Sequence, residues 1–219
     1  MPEKERNMKK ITTRNLVVIA MLSAVSFILM MLDFSVPFMP SFIKMDISEL
    51  PALIGAFAMG PVEGVLICLV KNLLNLLRST TGGVGELCNF LLGASFVLTA
   101  GLIYQKNRTR KGAIIASLVG AAVMAAFSVP CNYYLTYPIY SKFMPMDAII
   151  GAYQAINPKV NGLLQCLLVF NMPFTFCKGF IDVVVTFLVY KRLSPIIKGE
   201  HVSDRKMENE TSENIAVEK

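Results

Sequence analysis

The sequence predicts an all-α, polytopic membrane protein, because apolar residues are abundant and charged residues are few. Of its 219 residues, 54% are hydrophobic and 16% are charged, and the mean hydropathy is +0.56. Several apolar runs approach the ~20 residues with which a helix crosses a hydrocarbon layer of ~30 Å. The runs are continuous rather than alternating, which favours transmembrane helices over a transmembrane barrel.

Residues 16–198 are expected to form one membrane domain of six transmembrane helices. The second helix has about ten to twelve residues and, at 1.5 Å each, is too short to span the bilayer. Either the loop before it dips inward or the protein is thin there. The expected helices cover residues 16–32, 49–59, 61–77, 86–104, 113–135 and 172–190.

The first three helices are bounded by turn-forming residues. Asp33 and the prolines after it end the first helix. Ser48 can cap the second helix, and Pro51 suits its first turn, where a missing N–H costs little. Gly60-Pro61 separates the second helix from the third.

The last three helices are bounded in the same way. A glycine-rich turn precedes Glu86 at the start of the fourth helix, and a basic connector at 106–111 separates the fourth from the fifth. Pro173 interrupts the last apolar stretch, so the sixth helix is expected to begin near Met172. Residues 163–170 then form a short outer element that roofs a cavity.

The distribution of charge predicts that both termini are cytoplasmic. Most of the 21 basic residues fall in segment 1–15, in the connector at 106–111 and after residue 190. Six crossings put these segments on one side, and basic residues concentrate on the cytoplasmic side. The chain therefore begins with a basic cytoplasmic segment, and residues 199–219 form a polar cytoplasmic tail that is expected to be disordered. Because topology explains the net charge of +6, no nucleic-acid partner is expected.

Catalytic and metal chemistry find no support in the sequence. The only histidine, His201, lies in the polar tail, and the five cysteines stand in apolar surroundings without a CxxC pair. The turn at 82–85 lacks the Lys-Ser/Thr of a phosphate-binding loop. No metalloprotease or serine-hydrolase motif occurs. The sequence therefore predicts no enzyme, no metal and no cofactor.

Lys178 requires an explanation, because a charge inside the membrane is costly. Its position in the sixth helix is roughly 10 Å below the outer surface. One hypothesis pairs it with Asp182, one helical turn later, and the other lets it face a ligand. Lys71 and Glu63 on the third helix are interpreted as solvated helix ends.

Further polar residues converge on the same outer side as Lys178. They are found in the loop at 44–49, in the turn at 82–86, at Asn89 and at Asn132. Apolar walls with a few placed polar groups suit a flat, mostly uncharged ligand with a hydrogen-bonding edge. The residues that can supply such walls are Phe42, Met45, Phe174 and Tyr133.

Five segments match a known family pattern. They are residues 44–55, Gly60-Pro61 with 71–74, 81–87 with Asn89-Phe90, 132–134 with Pro138 and Tyr140, and Pro173-Phe174 with Lys178-Gly179. Over residues 8–198 the chain thereby resembles the riboflavin-specific S components of energy-coupling factor (ECF) transporters. One position departs from the pattern, because Thr175 stands where the family has asparagine, and its side chain has a shorter reach.

The resemblance implies a membrane subunit that binds riboflavin at the outer face with high affinity. Loops after the first and fifth helices would close the pocket. The implied partners are riboflavin, a transmembrane coupling subunit and two cytoplasmic ATPases, and the implied location is the plasma membrane. The implied substrate contacts are Lys178, Asn132, Thr175, Asn89, Glu86, Gly85, Asp46 and Met45.

Ala20 and Ala24 in the first helix are the predicted docking residues for the coupling subunit. Small residues four apart allow two helices to approach closely, and the family pattern places such a motif here. Two alternatives remain open. The chain is an S component for another vitamin or a flavin analogue, for which Thr175 is the sequence indication, or a stand-alone facilitator that needs no ATPase.

Overall fold

The computed structural model describes residues 12–40, 42–79, 82–142 and 144–198, with side chains as far as residue 188. Most of the predicted basic N-terminal segment and the whole predicted tail at 199–219 lie outside the described residues. The described chain is helical apart from one small hairpin and its loops. Its helices are α1 (Thr13–Met31), α2 (Leu50–Ala58), α3 (Pro61–Asn75), α4 (Val84–Lys106), α5 (Arg110–Cys131), α6 (Tyr137–Tyr140), α7 (Met146–Gln154), α8 (Leu163–Cys166) and α9 (Met172–Lys198).

Four helical stretches among the described residues are long and apolar enough to cross a membrane, so the chain is a helical membrane protein. With 9 and 15 residues, α2 and α3 are shorter than such a crossing requires. The count of six spanning helices and the cytoplasmic termini stay predictions. The four stretches are Thr13–Met31, Val84–Lys106, Arg110–Tyr140 and Leu163–Leu188.

The short helix α2 lies inside the bundle, where α1, α3, α4 and α9 pack around it. All its residues from Leu50 to Phe57 are buried, as expected of a helix that is apolar on every side. Gly64 lets α3 approach closely, because a Cβ there would lie 2.7 Å from the Ala56 Cβ. Four residues of the preceding loop, Met45, Asp46, Ser48 and Glu49, are already buried. The structure therefore supports the expectation that the loop before α2 dips inward.

The predicted cap of α2 is wrong. Glu49 occupies the N-cap position and makes no side-chain capping bond. The Ser48 hydroxyl instead accepts a hydrogen bond from the Lys71 ammonium group at 2.7 Å, because a charged donor in the interior competes successfully for it. Pro51 does lie in the first turn, as predicted.

A two-stranded hairpin that was not predicted shapes the loop after α1. Strand β1 (Phe34–Ser35) pairs antiparallel with β2 (Lys44–Met45). An exposed ion pair of 3.0 Å between Lys44 and Asp33 lies beside it. The hairpin folds the loop back on itself, and the buried residues that lead into α2 follow directly after it.

The final helical region corrects the prediction for residues 163–170. They do not form a separate element, because α8, a π-helical turn (Leu167–Asn171) and α9 follow one another without a break. The Met172 N–H bonds to the Leu167 carbonyl, five residues back. This wider turn stands directly before Pro173, which lacks an N–H and would clash with a regular α-helical turn.

The same device occurs at the end of α5. A second π-helical turn (Asn132–Thr136) joins α5 to α6, and the Tyr137 N–H bonds to the Asn132 carbonyl. Pro138 follows two residues after the turn. In both places the chain continues through a proline by widening one turn rather than by ending the helix.

Candidate functional site

A cavity of about 200 Å³ opens at the end of the bundle where α4 begins and α5 ends. The first turns of α9 and the loop before α2 complete its wall. Apolar and aromatic side chains alternate there with amides, hydroxyls and charged groups. The lining residues are Phe42, Ile43, Lys44, Glu49, Gly85, Cys88, Asn89, Leu92, Met124, Asn132, Thr136, Tyr137, Tyr140, Asn171, Phe174, Thr175 and Lys178.

The structure brings five of the eight predicted substrate contacts into this cavity, together with two of the predicted wall residues. Met45, Asp46 and Glu86 are not among the lining residues, and the predicted wall residue Tyr133 packs edge-on against Tyr134 instead. The five contacts that line the cavity are Lys178, Asn132, Thr175, Asn89 and Gly85, and the two wall residues are Phe42 and Phe174.

Lys178 of the cavity wall forms an ion pair with Asp46 of the loop before α2. Its ammonium nitrogen lies 2.9 Å from a carboxylate oxygen of Asp46, and the two side chains are 12% and 9% exposed. Burial raises the pKa of Asp46, but the ammonium groups of Lys178 and Lys71 outweigh this effect and hold it well below its usual value. The pair ties α9 to the loop before α2 at the wall of the cavity.

The hypothesis that Lys178 pairs with Asp182 is wrong. Asp182 lies one turn deeper and is completely buried. Neither of its carboxylate oxygens has a hydrogen-bond partner among the described residues. The dipping loop delivers Asp46 to the ammonium group from outside α9, and this contact takes the place of one along the helix.

A second ion pair lies beside the first but is sealed from solvent. The Lys71 nitrogen lies 2.6 Å from a Glu49 carboxylate oxygen, with the side chains 0% and 1% exposed. Cys68 donates to the other oxygen at 3.4 Å. Gly93 of α4 makes room for this carboxylate, because a Cβ there would lie 2.5 Å from it. The interpretation of Lys71 as a solvated helix end is therefore wrong.

Glu86 holds the turn before α4 rather than facing the cavity. Its two carboxylate oxygens accept from Asn75 at 3.1 Å and from Ser79 at 2.9 Å. The Ser79 hydroxyl in turn accepts from the Gly83 N–H at 2.9 Å. Gly83 has a φ of +89°, in the left-handed region that favours glycine. Glu86 thereby positions the start of α4, which carries Gly85 into the cavity wall.

Amide groups connect α3 and α4 below that turn. The Asn89 side chain donates to the side-chain amide oxygen of Asn72 at 3.2 Å. Asn72 donates in turn to the Cys68 backbone carbonyl at 2.8 Å. The hydrogen bond to Asn72 therefore holds the Asn89 side chain of α4 against α3, and Asn89 also lines the cavity.

Two phenols and one amide link three elements at the other side of the cavity. Tyr153 of α7 donates to the Asn171 side-chain oxygen at 2.7 Å, and Asn171 donates to the Tyr137 hydroxyl at 3.3 Å. The two hydroxyls also bond to each other. Because Tyr137 and Asn171 line the cavity, this triangle joins its wall to α7.

Several cavity residues were not predicted. Asn171 and Thr136 each end a π-helical turn, and their directions depend on that turn. A polar residue next to an apolar run was the available signal for Asn171. Glu49 was noted only as part of a polar loop, and Tyr137 was not singled out.

The arrangement can bind and orient a small molecule. Its amides and hydroxyls both donate and accept hydrogen bonds, and its two lysines, Lys44 and Lys178, add charged donors. Within the part of the chain that the structure describes, no group of three or more histidine, cysteine, aspartate or glutamate residues is placed to hold a metal ion. Fold and cavity together define a helical membrane protein with a cavity lined by both apolar and polar side chains.

Comparison with known proteins identifies the family. The sequence model of the ECF transporter substrate-specific component matches residues 14–190, and the chain belongs to that family. It is a substrate-binding transporter component and not an enzyme. The family predicted from the sequence motifs is confirmed.

Individual relatives agree with this assignment. The riboflavin transporter RibU of Staphylococcus aureus (strain TCH60) is 37% identical, with 84% of this chain and 93% of that protein covered. The riboflavin transporter FmnP of Bacillus subtilis (strain 168) is 31% identical, with 84% and 94% covered. A solved structure of the S component of a bacterial ECF transporter superposes with a TM-score of 0.67 at 35% identity, covering 84% of this chain and 98% of that one.

Proposed function

We propose that this chain captures riboflavin in the described cavity as the high-affinity substrate-binding subunit of an ATP-driven ECF importer. The observation that carries the proposal is the composition of the cavity wall: apolar side chains, three asparagine amides and two lysines around a single space. The names of the relatives support riboflavin as the ligand. No covalent step on the vitamin is involved.

The wall suits the chemistry of a flavin. Phe174, Leu92 and Met124 offer apolar surface for a flat ring system. Asn89 and Asn132 can donate and accept at once, as the mixed polar edge of an isoalloxazine requires. Lys178 can donate to a ring carbonyl or a ribityl oxygen.

The transport partners follow from the family. We propose that its partners are a transmembrane coupling subunit and two cytoplasmic ATPases. We also propose that this chain lies in the plasma membrane, with six spanning helices and both termini in the cytoplasm. Ala20 and Ala24 are both exposed on α1, which supports their proposed role in docking to the coupling subunit.

The first experiment is the absorbance spectrum of the purified protein, followed by titration of stripped protein with riboflavin. Copurified flavin and quenching of riboflavin fluorescence are expected. Lys178→Ala should weaken binding, whereas Lys142→Ala, an exposed lysine outside the cavity, should not. Colourless protein that leaves the fluorescence unchanged would reject riboflavin and favour another vitamin.

A second experiment separates the importer from a stand-alone facilitator. The protein is reconstituted in vesicles with and without the coupling subunit and ATPases, and uptake of labelled riboflavin is measured. Uptake only with the complete, ATP-supplied assembly is expected. Equal uptake by the chain alone would reject the ECF-dependent mechanism while leaving riboflavin binding intact.

A further inference from the structure

Two cysteine thiols lie in contact at the wall of the cavity. Cys88 of α4 and Cys131 of α5 place their sulfur atoms 3.4 Å apart, and both side chains are buried. Both are free thiols. Cys88 lines the cavity, whereas Cys131 is not among the lining residues. A small reagent that enters the cavity therefore meets Cys88 first.

The helices that carry these thiols are already packed together. Cys88 lies near the beginning of α4 and Cys131 is the last residue of α5, so the pair joins the same end of two neighbouring helices. A disulfide needs a sulfur–sulfur distance of about 2.05 Å. The thiols thus need to approach by roughly 1.3 Å, a change that side-chain rotation and a small helix shift can supply.

We propose that Cys88 and Cys131 are a reversible oxidation site in the cavity wall, which closes to a disulfide when a small peroxide enters the cavity. The proposal rests on the two sulfur positions and on the access that the cavity gives to one of them. It does not depend on which ligand the cavity binds.

The reaction balances in two steps. The Cys88 thiolate attacks one oxygen of hydrogen peroxide, the O–O bond breaks, and a sulfenic acid and hydroxide form. The Cys131 thiolate then attacks the Cys88 sulfur and displaces a second hydroxide. The two hydroxides take up the protons that the two thiols released on ionisation, and both leave as water. Two thiols and one peroxide give one disulfide and two waters, so sulfur loses two electrons and the peroxide gains them.

Closure of the bridge changes the polar wall. The Cys88 sulfur also lies 3.7 Å from the Asn132 side-chain oxygen, to which its S–H can donate. The disulfide has no S–H, so this donor is lost. Because Asn132 lines the cavity and directly follows Cys131, oxidation alters the wall at a predicted ligand contact and fixes α4 to α5.

The test is thiol counting and peptide mapping on the full chain in detergent. Reduced protein is exposed to hydrogen peroxide, denatured and alkylated, and its peptides are identified by mass spectrometry. Five cysteines should be alkylated before oxidation, and the Cys88 and Cys131 peptides should then be lost together as one cross-linked species. A reductant should restore both. Alkylation of all five after peroxide treatment would overturn the proposal.

Single variants identify the order of attack. In Cys131→Ala, dimedone should trap a sulfenic acid at Cys88, and in Cys88→Ala little should be trapped at Cys131. A stronger adduct at Cys131 would reject Cys88 as the attacking thiol. Cys166→Ser is the matched control, because Cys166 is also buried but is not a cavity-lining residue, and its loss should leave the cross-link intact.

Discussion

The two buried ion pairs use the same chemistry for different purposes. Each joins a lysine on a helix to a carboxylate of the segment before α2, and Asp46 and Glu49 are only three residues apart. Each pair contributes one residue to the cavity wall, Glu49 in the first and Lys178 in the second. Lys71–Glu49 is nevertheless sealed from solvent, whereas Lys178–Asp46 keeps a small exposed fraction. Burial depth, not residue type, is therefore the difference between the two pairs. We expect the sealed pair to support the fold and the more exposed pair to respond to a ligand.

The largest loss of stability is expected from a substitution that breaks the sealed pair. Lys71→Ala leaves the Glu49 carboxylate buried without its cation, which should cost about 3–5 kcal/mol. The thermal midpoint in detergent should fall strongly. The double variant Lys71→Met with Glu49→Leu should recover most of the loss, because neither charge then remains. A double variant as unstable as the single one would show that the pair is not the cause.

The second effect concerns the open pair. Lys178→Ala should lower riboflavin affinity by on the order of tenfold to a hundredfold, as expected for the loss of a charged donor to the ligand. Its thermal midpoint should fall less than that of Lys71→Ala, since water reaches the remaining Asp46 carboxylate more easily. Fluorescence titration and melting on the same samples test the contrast. Equal destabilisation with unchanged affinity would refute it.

A third substitution disturbs the sealed pair without removing a charge. Gly93→Ala places a methyl group 2.5 Å from the Glu49 carboxylate, and overpacking of this kind costs about 1–3 kcal/mol. Gly151→Ala in α7 is the matched control, because nothing lies within 4 Å of its added Cβ. The control should melt at or slightly above the wild-type temperature, and a fall as large as that of Gly93→Ala would argue against a local clash.

The smallest effect is expected from mild acid. The pKa of Asp46 is lowered in the folded protein, so its pair contributes stability above the unfolded pKa of about 3.9 and loses it as the pH falls through the lower folded value. Riboflavin affinity between about pH 8 and 5 should therefore show no step from Asp46. A wild-type step in this range that is absent from Asp46→Asn would assign a higher pKa to Asp46.

The sequence was most informative where one residue type had one physical explanation. Continuous apolar runs predicted the long helices. The polar residues near one end of the bundle, together with the family resemblance that added Thr175, predicted five of the cavity residues. Signals from residues close in sequence were enough to predict these helices, because a chain in lipid must satisfy its backbone hydrogen bonds internally. Gly60-Pro61 and the glycine turn before α4 also fell where predicted.

The sequence was least informative where a residue's partner is distant along the chain. Lys71 finds Glu49 and Lys178 finds Asp46 only after the loop has folded inward. A pairing of Lys178 with Asp182 obeys helical spacing and was nevertheless wrong, because tertiary contacts decided the pairing. The π-helical turns are likewise not visible in composition, and the prediction for residues 163–170 failed for that reason.

The two π-helical turns have a consequence for how this family can vary. Each is equivalent to one residue inserted in a regular helix, and one residue corresponds to about 100° of rotation about the axis. Deletion of a single residue from positions 167–170 would keep every cavity residue in the sequence and yet swing Thr175 and Lys178 away from their present direction. The number of residues in each turn therefore sets the direction of the side chains that follow it. A sequence comparison that counts only substitutions would not detect a change in this number.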